Sequence, residues 1–331
     1  AFLAGMIFMT YMTRMGNRDM TGDMAQAQLP VVHAEQDGVL YNEMHGYVED
    51  MDGASMRDSV IGVSEDHKVG LTLEKYNAQI KSVSYEVRSL DMSRLIEGGD
   101  DLQAEDDGKY LHVSLTLKDL LTQGEEYLLV LKVQTEDQDL VRFYSILTYL
   151  GTNHVQDCVD FAQRFHEMTL TGDSDGVLNY LEQDGSMDGK NLGYINIHSR
   201  SGPVTWGDMQ VEQIGDPSLR FTELESDITA LTMEYQVTNT ETSEQYQVRE
   251  AYRLRYTSTR IYLLAYERWT DKILEPGRQL VEDGKLSFGI QSSEPVYMKN
   301  TEENVVGFVE QGQLWSYDYG QNRLSLVYGF T

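Results

Sequence analysis

The sequence predicts a mainly β protein that also contains an α+β domain. Three observations lead to this prediction. Between Leu29 and Leu150, apolar residues recur at every second position in at least five stretches, which is the pattern of half-buried antiparallel strands. From His154 to Leu170, apolar residues instead recur every three or four positions, as on an amphipathic helix. Beyond that helix the strand pattern returns, and the chain is long enough for two or three domains.

Residues 29–150 are predicted to form a fibronectin-III-like or Ig-like β-sandwich. Their strands follow one another at intervals of about ten residues, with no helix between them. The segment Leu120–Tyr127 is a leucine, a turn with Gly124, and a tyrosine at the start of a strand. It resembles the tyrosine corner, in which the phenol hydrogen-bonds to the backbone just upstream. The motif indicates a fold and says nothing about function.

Residues 151–275 are predicted to form the α+β domain. After the long helix come a short helix from Val177 to Glu182, a glycine-rich loop and several antiparallel strands. Two of the strands are long and are joined by the polar turn Asn239–Glu244. One helix against a curved antiparallel sheet is typical of NTF2-like and cystatin-like domains.

Residues 276–331 are predicted to be a linker and the first blade of a β-propeller. Three short strands alternate with turns at Gly312 and Gly320, and the middle strand begins Leu314-Trp-Ser-Tyr-Asp. One blade cannot bury both of its faces, so we expect the propeller to continue in sequence that is missing here.

Residues 1–28 are predicted to be a truncated membrane anchor and stalk. The stretch Ala1–Met12 carries no charge, and a complete span needs about 20 apolar residues. The alternatives are a buried core helix and the end of a signal peptide. We expect a single-pass protein of the cell membrane with the bulk of the chain extracytoplasmic. Basic residues next to a span, here Arg14 and Arg18, normally mark its cytoplasmic side. To predict the orientation, the charges on the two flanks of the span have to be compared, and the other flank is missing here.

The composition excludes nucleic acid as a partner. The chain has 26 Lys and Arg against 54 Asp and Glu, a formal net charge of −28, and such a polyanion repels phosphate backbones. Cys158 is the only cysteine, so no intrachain disulfide can form. It lies on the apolar side of the long helix, where we expect a buried small hydrophobe.

Calcium is the one cofactor that the sequence suggests. The segment Thr171–Glu182 places oxygen-bearing side chains at four positions of an EF-hand loop, namely Asp173, Asp175, Asn179 and Glu182. A threonine stands at the first position, where a carboxylate normally coordinates, so any site would be weak. The alternative is a polar loop that caps a helix. The seven histidines have no zinc-ligand spacing.

No catalytic residue can be assigned from motifs. The sequence has no G-x-S-x-G elbow, S-x-x-K, P-loop or G-x-G-x-x-G. A ligand-binding aromatic platform is instead predicted in the second domain, made of Trp206, Tyr252, Tyr256, Tyr262 and Trp269. The alternative is that these rings pack in the core with their polar atoms at its rim.

The strings Met51-Asp-Gly through Met56-Arg-Asp and Tyr252-Arg-Leu-Arg-Tyr-Thr, together with the predicted domain order, are similar to uncharacterised membrane-anchored extracytoplasmic proteins of gut Clostridia. The resemblance covers nearly the whole chain. It implies a location and an architecture, and no activity.

The sequence therefore favours an extracytoplasmic binding or scaffolding protein whose partners are envelope proteins or cell-wall components. The alternative is a cell-surface hydrolase acting on glycans or peptides. Its active site would lie in the missing propeller or on the concave sheet of the second domain. A converging pair of carboxylates in a deep pocket would favour the hydrolase.

Overall fold

The structure is a computed structural model that describes residues 29–329, apart from 37, 57–58, 77, 101, 137–139, 153, 185–191, 278–279 and 283–284. The mainly β class is confirmed, with several antiparallel sheets and a small helical part. The predicted anchor, residues 1–28, lies outside the described residues, and among the described residues no helix is long and apolar enough to span a membrane. Two compact units are present, of which one is Ala27–Thr270 and the other contains Asp271–Thr331.

The first ten strands form two five-stranded sheets. Sheet 1 has the order β2-β1-β4-β8-β7, and sheet 2 has the order β3-β10-β9-β5-β6. All pairings described between these strands are antiparallel except that of β3 with β10, which is parallel. The strands are β1 (Val31–Gln36), β2 (Val39–His45), β3 (Val60–Ser64), β4 (Lys68–Glu74), β5 (Ile80–Ser89), β6 (Leu95–Gly99), β7 (Ala104–Asp106), β8 (Tyr110–Thr116), β9 (Glu126–Thr135) and β10 (Leu140–Gly151).

The segment between β2 and β3 explains why the middle of sheet 2 is buried on both faces. Gly46 lies so close to Val141 that a Cβ there would meet its side chain at 2.3 Å, and Gly53 is equally close to Leu128. Val141 and Leu128 belong to opposite faces of the β9–β10 ladder. The segment therefore crosses the edge of β10, where Tyr47 pairs with Arg142. Burial on both faces accounts for the nearly continuous apolar runs in the sequences of β9 and β10.

The hydrogen bond that the tyrosine-corner motif predicts is present. The backbone N–H of Thr122 donates to the Tyr127 hydroxyl at 2.9 Å, and that hydroxyl also lies 3.1 Å from the Glu125 carboxylate. Tyr127 itself is buried. The phenol thus fixes the turn that leads into β9.

A third five-stranded sheet follows in the same unit, with the order β11-β15-β14-β13-β12. Its strands are β11 (Tyr194–Asn196), β12 (Val211–Leu224), β13 (Ile228–Asn239), β14 (Gln245–Tyr256) and β15 (Ile261–Lys272). The helices are α1 (Val155–Leu170), α2 (Ser174–Leu178) and α3 (Ser201–Val204). The predicted long helix is confirmed, and α1 turns Cys158, Ala162 and Phe165 into the core. Helix α2 begins earlier than the sequence predicted because Asp173 caps it.

Sheets 1 and 2 are joined to sheet 3 through the side-chain amide of Asn42. Asn42 is fully buried, and its φ of 52° is one that asparagine tolerates better than most residues. Its amide nitrogen donates to the Val60 carbonyl at 2.7 Å, and its amide oxygen accepts the Phe221 N–H at 2.7 Å. Tyr41 meets the Phe221 ring edge to face with the centroids 5.2 Å apart. Strands β2, β3 and β12 are therefore fastened together.

The second unit contains a hairpin of β16 (Val281–Glu282) with β17 (Lys285–Leu286) and a four-stranded sheet 4 in sequential order. The strands of sheet 4 are β18 (Val296–Lys299), β19 (Val305–Glu310), β20 (Gln313–Asp318) and β21 (Arg323–Tyr328). The last three match the predicted strands, whereas β18 was missed. One face of the sheet buries the core residues Val306, Phe308, Trp315, Tyr317, Leu324 and Leu326.

The opposite face of sheet 4 presents an apolar row that crosses all four strands. Val296 pairs with Val309, Val309 with Leu314, and Leu314 with Tyr328. Their exposed fractions lie between 40% and 76%. An exposed apolar row of this kind is typical of a face that packs on another protein element.

Candidate functional site

The structure divides the predicted aromatic platform. Trp206 and Tyr252 are buried, with 1% and 2% of their surface exposed, whereas Tyr262 is exposed. Tyr256 and Trp269 are half-buried. No ring contact in the described part of the chain joins two of the five. The partners of four of them are Arg268 for Trp206, His154 for Tyr256, Arg260 for Tyr262, and Tyr194 and Arg249 for Trp269.

The fifth, Tyr252, belongs to a polar cluster around the fully buried carboxylate of Glu250. Oε1 of Glu250 accepts the hydroxyls of Tyr235 at 3.1 Å and Tyr266 at 2.9 Å. Oε2 accepts the Tyr252 hydroxyl at 2.6 Å and lies 3.1 Å from Nδ1 of His166. These five residues are called the Glu250 centre below. All four acceptor positions of the carboxylate are occupied.

Local geometry brings these groups together. Glu250 and Tyr252 are two positions apart on β14 and so share one face of sheet 3. Tyr235 and Tyr266 lie on the strands β13 and β15, which flank β14. His166 comes from the buried side of α1, which packs on that face. The ring of Phe165, its neighbour on α1, lies at 6.0 Å from the Tyr252 ring and at 4.8 Å from the Tyr266 ring.

The hydrogen bonds define the protonation of His166. Its Nε2 lies 2.6 Å from Oε1 of Gln213, whose amide nitrogen donates to the Gly215 carbonyl at 2.8 Å. Since Gln213 offers an oxygen and Glu250 offers a carboxylate, both ring nitrogens donate and the ring is an imidazolium. Burial is the largest influence on the pKa of His166 and lowers it, but the Glu250 carboxylate and Gln213 outweigh burial, so the pKa is raised.

Glu250 responds in the opposite direction. Burial raises its pKa, but the hydrogen bond and charge of His166, the Tyr252 hydroxyl and the charge of Arg268 more than offset burial, so the pKa is lowered. His166 and Glu250 therefore form a buried ion pair. Burial and the Glu250 charge also hold the pKa values of Tyr235, Tyr252 and Tyr266 well above the ordinary value of a phenol.

This geometry suits structure better than catalysis. A catalytic carboxylate must reach a substrate atom or a water molecule, whereas Glu250 is fully buried and each of its oxygens already accepts two hydrogen bonds. The cluster instead ties α1 to three strands of sheet 3. Tyr252 thus packs in the core, as in the alternative to a ligand platform, whereas Tyr262 is exposed.

Sequence reasoning missed Glu250, although a signal for it exists. On β14 the buried positions are Tyr246, Val248, Glu250, Tyr252 and Leu254. A charged residue in a buried register requires a partner. That signal would have located the carboxylate, but it does not identify His166, which is distant in sequence.

Arg268 is a second buried ion that the sequence did not reveal. Its guanidinium donates to the carbonyls of Val204 at 2.7 Å and Pro203 at 2.9 Å, and it lies 3.8 Å from the centre of the Trp206 ring. Trp206 has a φ of 66°, a conformation that bulky residues rarely adopt. Trp206 thus closes the core over Arg268 and offers no open face.

An open groove lies elsewhere, on the outer face of sheet 1. It has a volume of about 610 Å³. Gly70 and Ser114 form its floor, because they lie in one cross-strand row with Glu35. A Cβ on Gly70 would come within 2.6 Å of the Glu35 carbonyl oxygen. The groove is called the sheet 1 groove below, and its ionisable lining residues are Glu35, Glu105 and His112.

Side-chain contacts among Glu35, Thr72, His112 and Asp107 order one wall of this groove. The adjacent cross-strand row runs from Thr72 to His112 and on to Glu105. The Thr72 hydroxyl donates to the Glu35 carboxylate and lies 3.0 Å from Nδ1 of His112. Nε2 of His112 lies 3.6 Å from the Asp107 carboxylate. Thr72 is 1% exposed, so its hydroxyl orients its neighbours and is not available as a nucleophile.

The predicted calcium residues have other roles in the structure. The carboxylate of Asp173 accepts the Gly176 N–H at 2.9 Å and caps α2, and the Asn179 amide donates to the carbonyls of Asp175 and Gly176. The backbone N–H of Glu182 donates to the Ile197 carbonyl. Within the described ranges, no three His, Cys, Asp or Glu side chains are grouped to hold a metal ion. Calcium stays a prediction.

Comparisons with known proteins add little. No protein-family model matches the chain, and no curated protein matches it. The crystal structure of an engineered protein aligns with 38% of this chain and 21% of its own, at 12% identity and a TM-score of 0.23. The structure of CopC from Methylosinus trichosporium OB3b aligns with 29% of this chain and 89% of its own, at 15% identity and a TM-score of 0.20. At such scores neither similarity carries an argument about fold or function.

Proposed function

We propose that this chain is an extracytoplasmic binding or scaffolding protein, anchored in the cell membrane at its N-terminus, which recognises its partner at the sheet 1 groove. The observation that supports this is a contrast between two sets of ionisable groups. The Glu250 centre is closed and satisfied, whereas the groove over Gly70 and Ser114 is open and carries carboxylates. Ligand sites are recessed surfaces in which a few polar groups converge.

The proposed architecture has three parts. Residues 29–150 are a β-sandwich, which is supported by two five-stranded sheets and the Tyr127 hydrogen bond. Residues 151–275 are an NTF2-like or cystatin-like domain, which is supported by α1 packed on the long strands of sheet 3. Residues 276–331 are the first blade of a propeller. The exposed row on sheet 4 supports this, because a following blade would cover it.

The partner of the groove is a positively charged segment of an envelope protein or of a cell-wall component. Two carboxylates, those of Glu35 and Glu105, line the groove, and none of the described residues that line it is Lys or Arg. The net charge of −28 attracts cations over the whole surface. The groove adds a defined place where an ammonium or guanidinium group meets carboxylates at close range.

A matched pair of variants tests the groove. We expect a fluorescent tetralysine peptide to bind the full chain, and Glu105→Gln to weaken that binding several-fold. The control is Glu212→Gln, an exposed glutamate of β12 that lies outside the groove and changes the net charge by the same amount. Equal binding by both variants, or equal binding of a fully acetylated tetralysine, would overturn the groove as the recognition site.

The location is tested separately by protease treatment of intact cells that express the native gene. Loss of a band detected by an antibody against residues 31–270 is the expected result, whereas a protected band would overturn an extracytoplasmic location.

A cell-surface hydrolase is the second candidate, because Glu35 and Glu105 line one groove. It predicts turnover of a glycan or peptide by the full chain that Glu35→Gln and Glu105→Gln each abolish. Binding without turnover favours the first candidate.

A further inference from the structure

A second recessed surface lies within the unit Ala27–Thr270, between the end of sheet 2 and the turn that connects β12 to β13. It has a volume of about 350 Å³, which is in the range of small-molecule sites, roughly 300–1,000 Å³. It is called the interdomain cleft below. Its lining residues include Gln123, Glu126 and Thr148 on one side and Glu225 and Ser226 on the other.

Thr148 gives the first indication of a ligand. It lines the cleft and is only 4% exposed. Its hydroxyl has no hydrogen-bond partner among the described residues. Buried hydroxyls are nearly always paired, because an unpaired one loses its hydration without replacement. A ligand hydroxyl entering the cleft would supply the partner.

The rest of the lining combines hydrogen-bond donors and acceptors. Gln123 anchors its side chain by donating to the Leu150 carbonyl at 2.9 Å, and its amide oxygen is an acceptor. Glu126 and Glu225 are exposed carboxylates, and Ser226 carries an exposed hydroxyl. Sugar hydroxyls both donate and accept, so they match such a mixture, whereas the two carboxylates disfavour an anion.

Strand pairing places two of these groups side by side. Thr148 lies directly opposite Glu126 in the β9–β10 ladder, so both side chains are on the same face of sheet 2. Tyr149, the next residue of β10, points to the other face, where its ring stacks on that of His67 with the centroids 5.0 Å apart. The buried hydroxyl and the exposed carboxylate therefore offer neighbouring partners to the hydroxyls of one sugar.

We propose that the interdomain cleft binds a neutral sugar residue. The hydroxyls of the sugar pair with Thr148, Glu126 and Glu225. This site is separate from the sheet 1 groove and does not depend on the function proposed for it.

The probes are cellobiose, maltose and chitobiose, each tested with the full chain by saturation-transfer NMR and by calorimetric titration. We expect at least one disaccharide to bind. We expect Thr148→Val to weaken that binding at least tenfold. Since valine replaces an unpaired hydroxyl by a methyl group of similar size, this variant should fold as the wild type does, which circular dichroism will show. Glu225→Gln gives a second, exposed position, and it should weaken binding as well.

Glu105→Gln is the control, because it alters the sheet 1 groove and leaves the cleft unchanged. It should bind sugar as the wild type does, whatever its effect on tetralysine. The proposal is overturned if none of the three disaccharides binds, or if both Thr148→Val and Glu225→Gln bind with wild-type affinity. Failure of the tetralysine experiment alone would leave the cleft unaffected, so the two proposals fail independently.

Discussion

Replacing Glu250 by glutamine keeps the shape of the side chain and removes its charge. The carboxylate accepts four hydrogen bonds, two on each oxygen. The amide nitrogen of glutamine is a donor, so the two groups at the oxygen that it replaces lose their acceptor. A phenol at that position can only accept from the amide, which leaves its own proton unpaired, and the imidazolium of His166 would face a second donor. The imidazolium of His166 also loses its counter-ion while it remains buried.

The structure allows the cost to be estimated. Removing one partner of a buried ion pair costs about 3–5 kcal/mol, because the other charge is left uncompensated. We therefore expect Glu250→Gln to lower the free energy of unfolding of the unit Ala27–Thr270 by this amount. His166→Gln should cost nearly as much, and the double variant should cost less than the sum, with a coupling energy of about 2 kcal/mol.

Urea denaturation followed by tryptophan fluorescence measures these changes. Trp206 and Trp269 belong to the unit that contains Glu250, whereas Trp315 belongs to the other unit. All variants are therefore compared in a Trp315→Phe background. The control is Tyr246→Phe. Tyr246 is a buried tyrosine on the same strand, and its hydroxyl donates to the side chain of Glu244, outside the Glu250 centre.

Two results would refute the reasoning. If Glu250→Gln costs less than about 1 kcal/mol, the carboxylate is not a charged acceptor of four hydrogen bonds. If the coupling energy with His166→Gln is near zero, the two residues do not form an ion pair. The Tyr246→Phe control should cost about 1 kcal/mol or less, as expected for the loss of one ordinary hydrogen bond.

Three further predictions concern other measurements. The pKa of His166 is raised and that of Glu250 is lowered. The stability from their ion pair should therefore be lost as pH rises through the folded pKa of His166, and also as pH falls below the unfolded pKa of Glu250, about 4.5. Urea denaturation at several pH values should show a plateau of stability between these two limits in the wild type and none in the double variant. Asn42→Ala should lower the free energy of unfolding by about 2–3 kcal/mol, because it removes two buried hydrogen bonds. Asn42→Gly should lower it by less, since glycine adopts a positive φ without strain. Equal losses in the two variants would show that the backbone conformation at this position does not matter. Burial and the Asp271 charge raise the pKa of Glu310 to about 7, so the second unit should lose about 1 kcal/mol as pH rises from 4.5 to 7, and Glu310→Gln should abolish that loss in thermal melts.

Local pattern was enough to predict most of the secondary structure. Alternation over Leu111–Leu117 and the three-and-four spacing of α1 each depend on residues close in sequence, and both are confirmed. Strand β18 was missed because its side chains are exposed, so no alternation marks it. Among the proposed ligand residues, Trp206 and Tyr252 lie in the core, where their partners come from other elements.

The sites depend on pairing register, which local pattern does not specify. His112 meets Glu35 only because β4 lies between β8 and β1 with Thr72 opposite both His112 and His33. His166 meets Glu250 only because α1 packs across three strands. In each case the interacting groups are dozens of residues apart, and a shift of one residue in register would place the strand side chains on opposite faces.

The amide of Asn42 also bears on the way the protein opens. It donates to the Val60 carbonyl in sheet 2 and accepts the Phe221 N–H in sheet 3. Separating these two sheets would leave both backbone groups without the partner that they share. Amide protons of β3 and β12 should therefore exchange with solvent through one common opening reaction, with the same protection against deuterium. The end of β10, where a domain boundary was expected, is then not a point at which the protein comes apart. Opening on one side of Asn42 is thermodynamically an event for both.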